Sequence, residues 1–134
     1  MKSAQIKNII AILAMFAMVV LTAGTANAAT ITSNAVTNNW SAAATWVGGT
    51  PPGASDDAVI ASGANITVTA TAACSSITFP AGNNTTININ SGISLTVSGA
   101  VSLPRPSNNR TNLINVGGGT FLAGLRYDRW YMNR

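Results

Sequence analysis

The sequence from residue 56 onward alternates between apolar and polar positions in short segments. In residues 65–70, Ile66 and Val68 alternate with Thr67 and Thr69. A period of two with β-branched side chains is typical of a strand that buries one face. The segments with this character are 58–60, 65–70, 76–79, 86–90, 93–98, 100–103 and 112–116. Turn-forming residues such as Ser-Gly separate them, so the pattern predicts seven short strands and no helix after the leader.

Short strands of this kind close as a sandwich, a barrel or a solenoid. The inward positions are uniformly Ile, Val, Leu and Ala, which stack well between successive rungs of a solenoid. The outward positions are Thr, Ser and Asn with almost no charge, as stacked polar ladders allow. We therefore predict an all-β fold, a short parallel β-helix of about three rungs. A β-sandwich is the alternative, because no strict repeat can be written.

The first 28 residues have the three parts of a secretory signal peptide. Lys2 and Lys7 precede an uncharged apolar run over residues 9–21, and Ala26-Asn27-Ala28 supplies a small-x-small cleavage motif. The run is shorter than the roughly 20 apolar residues that span a bilayer. We predict cleavage between Ala28 and Ala29, contact of the leader with the membrane only during export, and a secreted or cell-surface location.

The charge of the chain does not describe a binding face. The formal net charge is +4, but most of the basic residues of the chain lie in the leader and in the last nine residues. In the region between these two segments, two Asp balance two Arg. A nucleic-acid partner is therefore not expected.

The titratable residues offer little for catalysis. The chain has no His and no Glu, and neither Lys nor Gln occurs after the leader. A nucleophile–base pair normally draws on His, Lys, Glu or Asp, and of these only Asp56, Asp57 and Asp128 remain after the leader. We therefore predict no enzyme activity, no catalytic residue and no cofactor. Cys74 is the only cysteine, which rules out an intramolecular disulfide and favours a buried apolar role.

Two pairs of residues are candidate sites. Trp40 and Trp46 are spaced to share one face of an extended segment; they either cap the open end of the coil or form a platform for sugar rings. The adjacent Asp56 and Asp57 are weak Ca²⁺ candidates, with a turn-capping role favoured. No other metal site is predicted.

The opening of the mature chain carries a family resemblance. Asn39-Trp40-Ser41, Thr45-Trp46-Val47-Gly48-Gly49, Pro52-Gly53 and Asp56-Asp57-Ala58-Val59-Ile60 form one spaced pattern, which Gly63–Val68 and Ser91–Gly99 continue. The pattern resembles the start of the right-handed parallel β-helix in large bacterial surface and adhesin-like proteins. It is also similar to the G8-type β-helical domain. The resemblance implies a β-helical opening module and no catalytic residues.

These observations give a domain plan and a function. We expect a signal peptide over 1–28, an aromatic entry or cap segment over 29–55, solenoid rungs over 56–119 and a basic aromatic tail over 120–134. The tail is either an anion-binding segment, a genuine cap or out-of-frame sequence that ends a truncated gene. The leading prediction is a structural or adhesive module of an exported surface protein, with extracellular glycans or surface components as partners. The alternatives are a carbohydrate-binding module with exposed Trp, and the non-catalytic N-terminal part of a polysaccharide-degrading β-helix enzyme.

Overall fold

The fold is built almost entirely from parallel β-strands. The structure is a computed structural model that describes residues 27–82, 84–104 and 110–124. Residues 1–26 of the predicted leader and 125–134 of the predicted tail lie outside the described residues. The strands in the described ranges are β1 Thr30–Thr32, β2 Thr37–Asn39, β3 Asp57–Val59, β4 Asn65–Val68, β5 Ala72–Cys74, β6 Ser76–Thr78, β7 Thr85–Ile89, β8 Ser94–Val97, β9 Val101–Ser102, β10 Asn112–Val116 and β11 Thr120–Ala123.

These strands form three parallel sheets that wind into a β-solenoid. The first sheet has the order β1-β3-β6-β9, the second β2-β4-β7-β10 and the third β5-β8-β11. Each of the last three coils therefore contributes one strand to every sheet. The first coil contributes only β1 and β2, and its third side is a short 3₁₀ turn over Ala43–Thr45 followed by a loop. The predicted solenoid of about three turns is confirmed, and the sandwich alternative is wrong.

Apolar side chains stack inside the coil in register. Ile66 pairs with Ile87, and Ile87 pairs with Ile114, so one isoleucine lies above the next in the second sheet. Ala58 and Ile77 stack in the same way in the first sheet. The other buried residues of this core include Ile60, Val68, Phe79, Ile89, Leu95 and Val97. Each buried aliphatic side chain stabilises the coil by about 1.5–3 kcal/mol relative to exposure.

Glycine at one corner allows the chain to turn from the second sheet to the third. Gly92 has φ +73° and Gly118 has φ +85°, in the left-handed region that glycine adopts without steric cost. The amide of Gly92 donates to the carbonyl of Gly118 in the next coil at 3.3 Å. The two turns differ in length, with residues 90–93 between β7 and β8 and residues 117–119 between β10 and β11. The strands on both sides of them nevertheless stay in register.

The strand pairing adds detail to two of the predicted segments. The segment 29–55 was expected to be an aromatic entry or cap segment, and within it β1 and β2 pair with β3 and β4. It is therefore the first coil itself. The tail was expected to begin at Thr120, yet β11 pairs with β8 along its whole length. The solenoid consequently extends at least to Ala123. The right hand of the coil stays an expectation that agrees with the general preference for right-handed crossovers.

The isoleucine stack gives a test of the core. Ile87 is fully buried between its partners in the neighbouring coils, so Ile87→Ala leaves a cavity and is expected to lower the free energy of unfolding by about 2–5 kcal/mol. Leu113→Ala is the matched control, since Leu113 is 46% exposed on the same sheet and its loss is expected to cost about 0.5 kcal/mol or less. Urea unfolding measures both; equal losses would contradict the assignment of the interior.

Candidate functional site

The two tryptophans lie against each other inside the first coil. Trp40 directly follows β2, the 3₁₀ turn follows, and Trp46 comes directly after it. Their ring centroids are 4.9 Å apart at an interplanar angle of 73°, an edge-to-face contact, which is a favoured aromatic geometry. The indole Nε1 of Trp46 donates to the carbonyl oxygen of Trp40 at 2.6 Å. The polar edge of Trp46 is thus satisfied within the core.

This geometry corrects the expectation of a shared extended face, and it does not provide the exposed rings that the alternative of a sugar platform needs. The 3₁₀ turn folds the chain back between Trp40 and Trp46, and only 3% and 2% of their surfaces are exposed. A sugar ring stacks on a solvent-accessible aromatic face, and neither indole offers one. The amide of Trp40 donates to the carbonyl of Thr67 at 2.8 Å. The pair therefore fills the N-terminal end of the apolar core.

A small cleft lies beside Trp40, between the loop of the first coil and the turn that leads into β5. Its volume is about 290 Å³, and it is lined by residues 51–54 and 70–73 together with Trp40 and Ser41. The lining is made of Pro, Gly, Ala, Ser and Thr around the edge of the indole. No titratable side chain faces it, so the cleft by itself supplies no group for acid–base chemistry.

The two adjacent aspartates make separate structural bonds. The Oδ2 atom of Asp56 accepts from the amide of Gly53 at 2.9 Å, and its Oδ1 atom accepts from the amide of Ala29 at 3.0 Å. These two bonds, that of Gly53 foremost, hold the pKa of the Asp56 carboxyl below its usual value. Asp57 instead accepts from the hydroxyl of Ser76 at 2.6 Å. Asp56 thus caps a turn, as expected, and Asp57 ties β3 to β6.

The described residues hold no cluster of three or more His, Cys, Asp or Glu side chains that would ligate a metal ion. Cys74 is buried, with its side chain in the core of the third sheet. This burial, together with the negative charge of Asp57, raises the pKa of the Cys74 thiol to about 12. The buried apolar role expected for Cys74 is therefore what the structure shows.

The outer surface of the second sheet carries two parallel columns of uncharged polar side chains. In β4, β7 and β10 these side chains alternate with inward-facing Ile and Val. The strand register places one column over positions 37, 65 and 86 and the other over 39, 67, 88 and 115. In β10 the first column ends in Leu113, an exposed apolar side chain. We call this surface the Asn/Thr face; its residues are Thr37, Asn39, Asn65, Thr67, Thr86, Asn88 and Asn115.

Amide side chains of the Asn/Thr face bond to one another across the coils. The Nδ2 atom of Asn88 donates to Oδ1 of Asn65 at 2.8 Å, and Nδ2 of Asn115 donates to Oδ1 of Asn88 at 3.3 Å. Asn115 is the direct partner of Asn88 on the next strand, about 4.8 Å away. Asn65 lies diagonally from Asn88, whose direct partner in β4 is Thr67. The bonds orient the side chains and leave part of their donor and acceptor capacity to solvent.

The polar outward positions in the sequence predicted stacked polar ladders, but they did not indicate that these residues form the Asn/Thr face. The local signal was present, because Asn65-Ile66-Thr67 and Thr86-Ile87-Asn88 both place polar groups two residues apart. What was missing was the register between the strands, which decides that Thr67 lies beside Asn88.

Comparison with known proteins adds no relative. No family model matches the chain, and no curated protein or solved structure is significantly similar to it. In the part of the chain that the structure describes, no helix has the length and apolar character needed to cross a bilayer.

The raised pKa of Cys74 predicts a protected thiol. At pH 8 an aromatic disulfide reagent is expected to react with the folded protein on the order of 10³-fold more slowly than with the protein in urea, because thiolate is the reactive species. A variant that combines Cys74→Ser with Thr78→Cys provides an exposed thiol as control. Fast reaction of the folded wild type would contradict the buried placement.

The same shift predicts a fall in stability at alkaline pH. The folded thiol keeps its proton up to about pH 12, whereas the unfolded thiol loses it from about pH 8.5. The unfolded state therefore binds fewer protons in this interval, and the free energy of unfolding decreases as pH rises through it. The decrease is expected to be smaller in Cys74→Ala.

Proposed function

We propose that this protein is a non-catalytic structural and adhesive module of an exported β-helical surface protein, and that the Asn/Thr face is its adhesive surface. The observation that carries the proposal is a chain of amide hydrogen bonds on an uncharged parallel sheet. Asn88 bonds to Asn65, which lies diagonally from it on the neighbouring strand, and Asn115 bonds to its direct partner Asn88. Such a surface is rigid before it meets a partner, which lowers the entropy cost of binding.

The chemistry of the face favours neutral glycans as its partners. Sugar hydroxyls both donate and accept hydrogen bonds, and so do the amides and hydroxyls of Asn and Thr. None of the seven side chains in the face is charged, so an anionic or cationic partner gains no ion pair there. The regular spacing of about 4.8 Å between strands offers repeated contacts to an extended polysaccharide rather than one deep pocket.

The positions of the described carboxyl and thiol side chains support the absence of catalysis in this proposal; Asp128 lies outside the described residues. Asp56 binds two backbone amides, Asp57 binds the hydroxyl of Ser76, and Cys74 is buried with its proton retained. Each of these groups has a structural partner or is removed from solvent. A glycoside hydrolase of the common paired-carboxylate type would need two carboxyl groups facing each other across a cleft.

In this proposal, the signal peptide predicted over residues 1–28 directs the export of the protein. A cleaved signal peptide would deliver the solenoid to the cell surface or the medium, where glycans are encountered. Cell fractionation of the expressed chain tests this step, and recovery of the full-length chain in the cytoplasm alone would contradict it.

The adhesive step is tested by co-sedimentation with insoluble neutral polysaccharides such as cellulose and chitin, supported by a glycan array. The double variant Asn65→Ala/Asn88→Ala removes the bonded amides of these two residues and is expected to weaken binding about tenfold or more, since each hydrogen bond contributes about 0.5–1.5 kcal/mol. Its circular dichroism spectrum should be unchanged.

The matched control is Thr32→Ala/Thr78→Ala, which removes two exposed hydroxyls from the outer surface of the first sheet. This control is expected to bind like the wild type. An equal loss in both double variants, or no binding of the wild type to any neutral glycan, would contradict the assignment of adhesion to the Asn/Thr face.

A further inference from the structure

The first strand of the solenoid is held by its backbone from Ala29 onward. The carbonyl oxygen of Ala29 accepts from the amide of Asp57 at 2.8 Å, and the pairing of β1 with β3 begins at Thr30. The amide nitrogen of Ala29 lies 3.0 Å from Oδ1 of Asp56. Asn27 and Ala28, on its N-terminal side, are exposed and lie outside any strand. The ordered pairing thus starts one residue after the predicted cleavage bond.

The carboxylate of Asp56 is oriented before it contacts Ala29. Its Oδ2 atom accepts from the amide of Gly53 at 2.9 Å, and the amide of Asp56 donates to the carbonyl of Gly53 at 3.0 Å. These two bonds close a tight turn that fixes the side chain and leaves Oδ1 directed toward Ala29. The lowered pKa of Asp56 keeps this group ionised at neutral pH.

We propose that Asp56 is a binding site for the amino terminus that leader removal creates. Hydrolysis of the Ala28–Ala29 peptide bond breaks the C–N bond and adds one water. Ala28 leaves with a carboxylate, and the nitrogen of Ala29 becomes an α-ammonium group. The amide–carboxylate hydrogen bond then becomes an ammonium–carboxylate pair at the same place, which is the stronger kind of bond. This inference rests on the export step of the proposed function.

The pair would link processing to folding of the first coil. Before cleavage, the Ala29 nitrogen offers Asp56 one neutral N–H group. After cleavage it offers a full positive charge, and the loop of residues 53–56 is bound to the start of β1 by an ion pair. Asp57 is the only other described carboxylate near this site, and its Oδ1 atom is bonded to Ser76. The ion pair requires cleavage at the Ala28–Ala29 bond, because cleavage one residue away would move the new charged nitrogen away from Oδ1 of Asp56.

The composition of the processed chain makes a selective test possible. Lys2 and Lys7 are the only lysines, and both lie in the leader. After cleavage the α-amine of Ala29 is therefore the only amine, and an amine-reactive reagent labels that atom alone. The pH at which labelling reaches half its maximal rate reports the pKa of the α-ammonium group.

The experiment uses the full chain, expressed with its leader in a secreting host. Intact-mass measurement and N-terminal sequencing identify the first residue of the exported product, which is expected to be Ala29. Amine labelling of that product against pH is then expected to show a midpoint above the usual α-amine range of about 7.7–8.0. In Asp56→Asn the midpoint should fall by about half a unit or more, because the neighbouring negative charge is lost.

Asp57→Asn is the matched control, because it removes the adjacent carboxylate that is bonded to Ser76. Its midpoint should change less than that of Asp56→Asn. Should Asp56→Asn fail to be exported, the wild-type midpoint still decides, since a value within the usual range overturns the pair. Acetylation of the wild-type amine should also lower the urea midpoint of unfolding, whereas acetylation of Asp56→Asn should not.

The outcomes separate this inference from the proposed function. An exported product that begins at Ala29 but shows the same labelling midpoint with and without Asp56 overturns the ion pair and leaves export intact. An unprocessed chain, or one that begins elsewhere, contradicts the cleavage step and overturns the inference with it. Loss of glycan binding in variants of the Asn/Thr face bears on neither result.

Discussion

The parallel register of successive coils is the constraint on which the rest of the structure depends. Because each residue lies directly beside its counterpart in the next coil, an inward position must suit the residues above and below it as well as the core. Ile66, Ile87 and Ile114 meet this requirement in one stack. The same register acts on the outside, where it places Asn115 directly beside Asn88 and Asn65 diagonally from Asn88, close enough for their amides to bond. Core and surface are therefore ordered by one arrangement of the backbone.

The first coil covers the N-terminal end of the stacked apolar core. A solenoid exposes its core at its ends unless something covers it. Here the Trp40–Trp46 pair fills that position, with the indole N–H of Trp46 satisfied by a backbone carbonyl. The loop that follows Trp46 replaces a strand of the third sheet and returns to the start of β1, where Asp56 binds Ala29. Closure of the core and fixation of the chain start are thus properties of one loop.

The fold was predictable from local patterns to the extent that strands contain branched aliphatic residues. All seven predicted strands exist, within one or two residues of their expected bounds. Four strands were not predicted from the sequence. Two of them, β1 (Thr-Ile-Thr) and β11 (Thr-Phe-Leu-Ala), have strand-forming residues but lie in the segments assigned to the aromatic entry and to the tail. The other two have weak local signals: β5 is Ala-Ala-Cys, and β2 is Thr-Asn-Asn. Their extended conformation comes from pairing with β8 and β4, which no local pattern reports. Trp40, Trp46, Asp56 and Asp57 were named as candidate site residues from the sequence alone. The Asn/Thr face could be defined only once the register between the strands was known.

The most direct test of the register is a disulfide introduced between neighbouring coils. Thr67 and Asn88 are direct partners in β4 and β7, so Thr67→Cys/Asn88→Cys is expected to form a disulfide under mild oxidation, since adjacent strands are about 4.8 Å apart. Thr67→Cys/Thr86→Cys joins diagonal positions about 7–8 Å apart on the same surface and is expected to stay reduced. Mass spectrometry of the oxidised chains distinguishes the two. Cross-linking of the diagonal pair in place of the direct pair would contradict the register and the Asn/Thr face built on it.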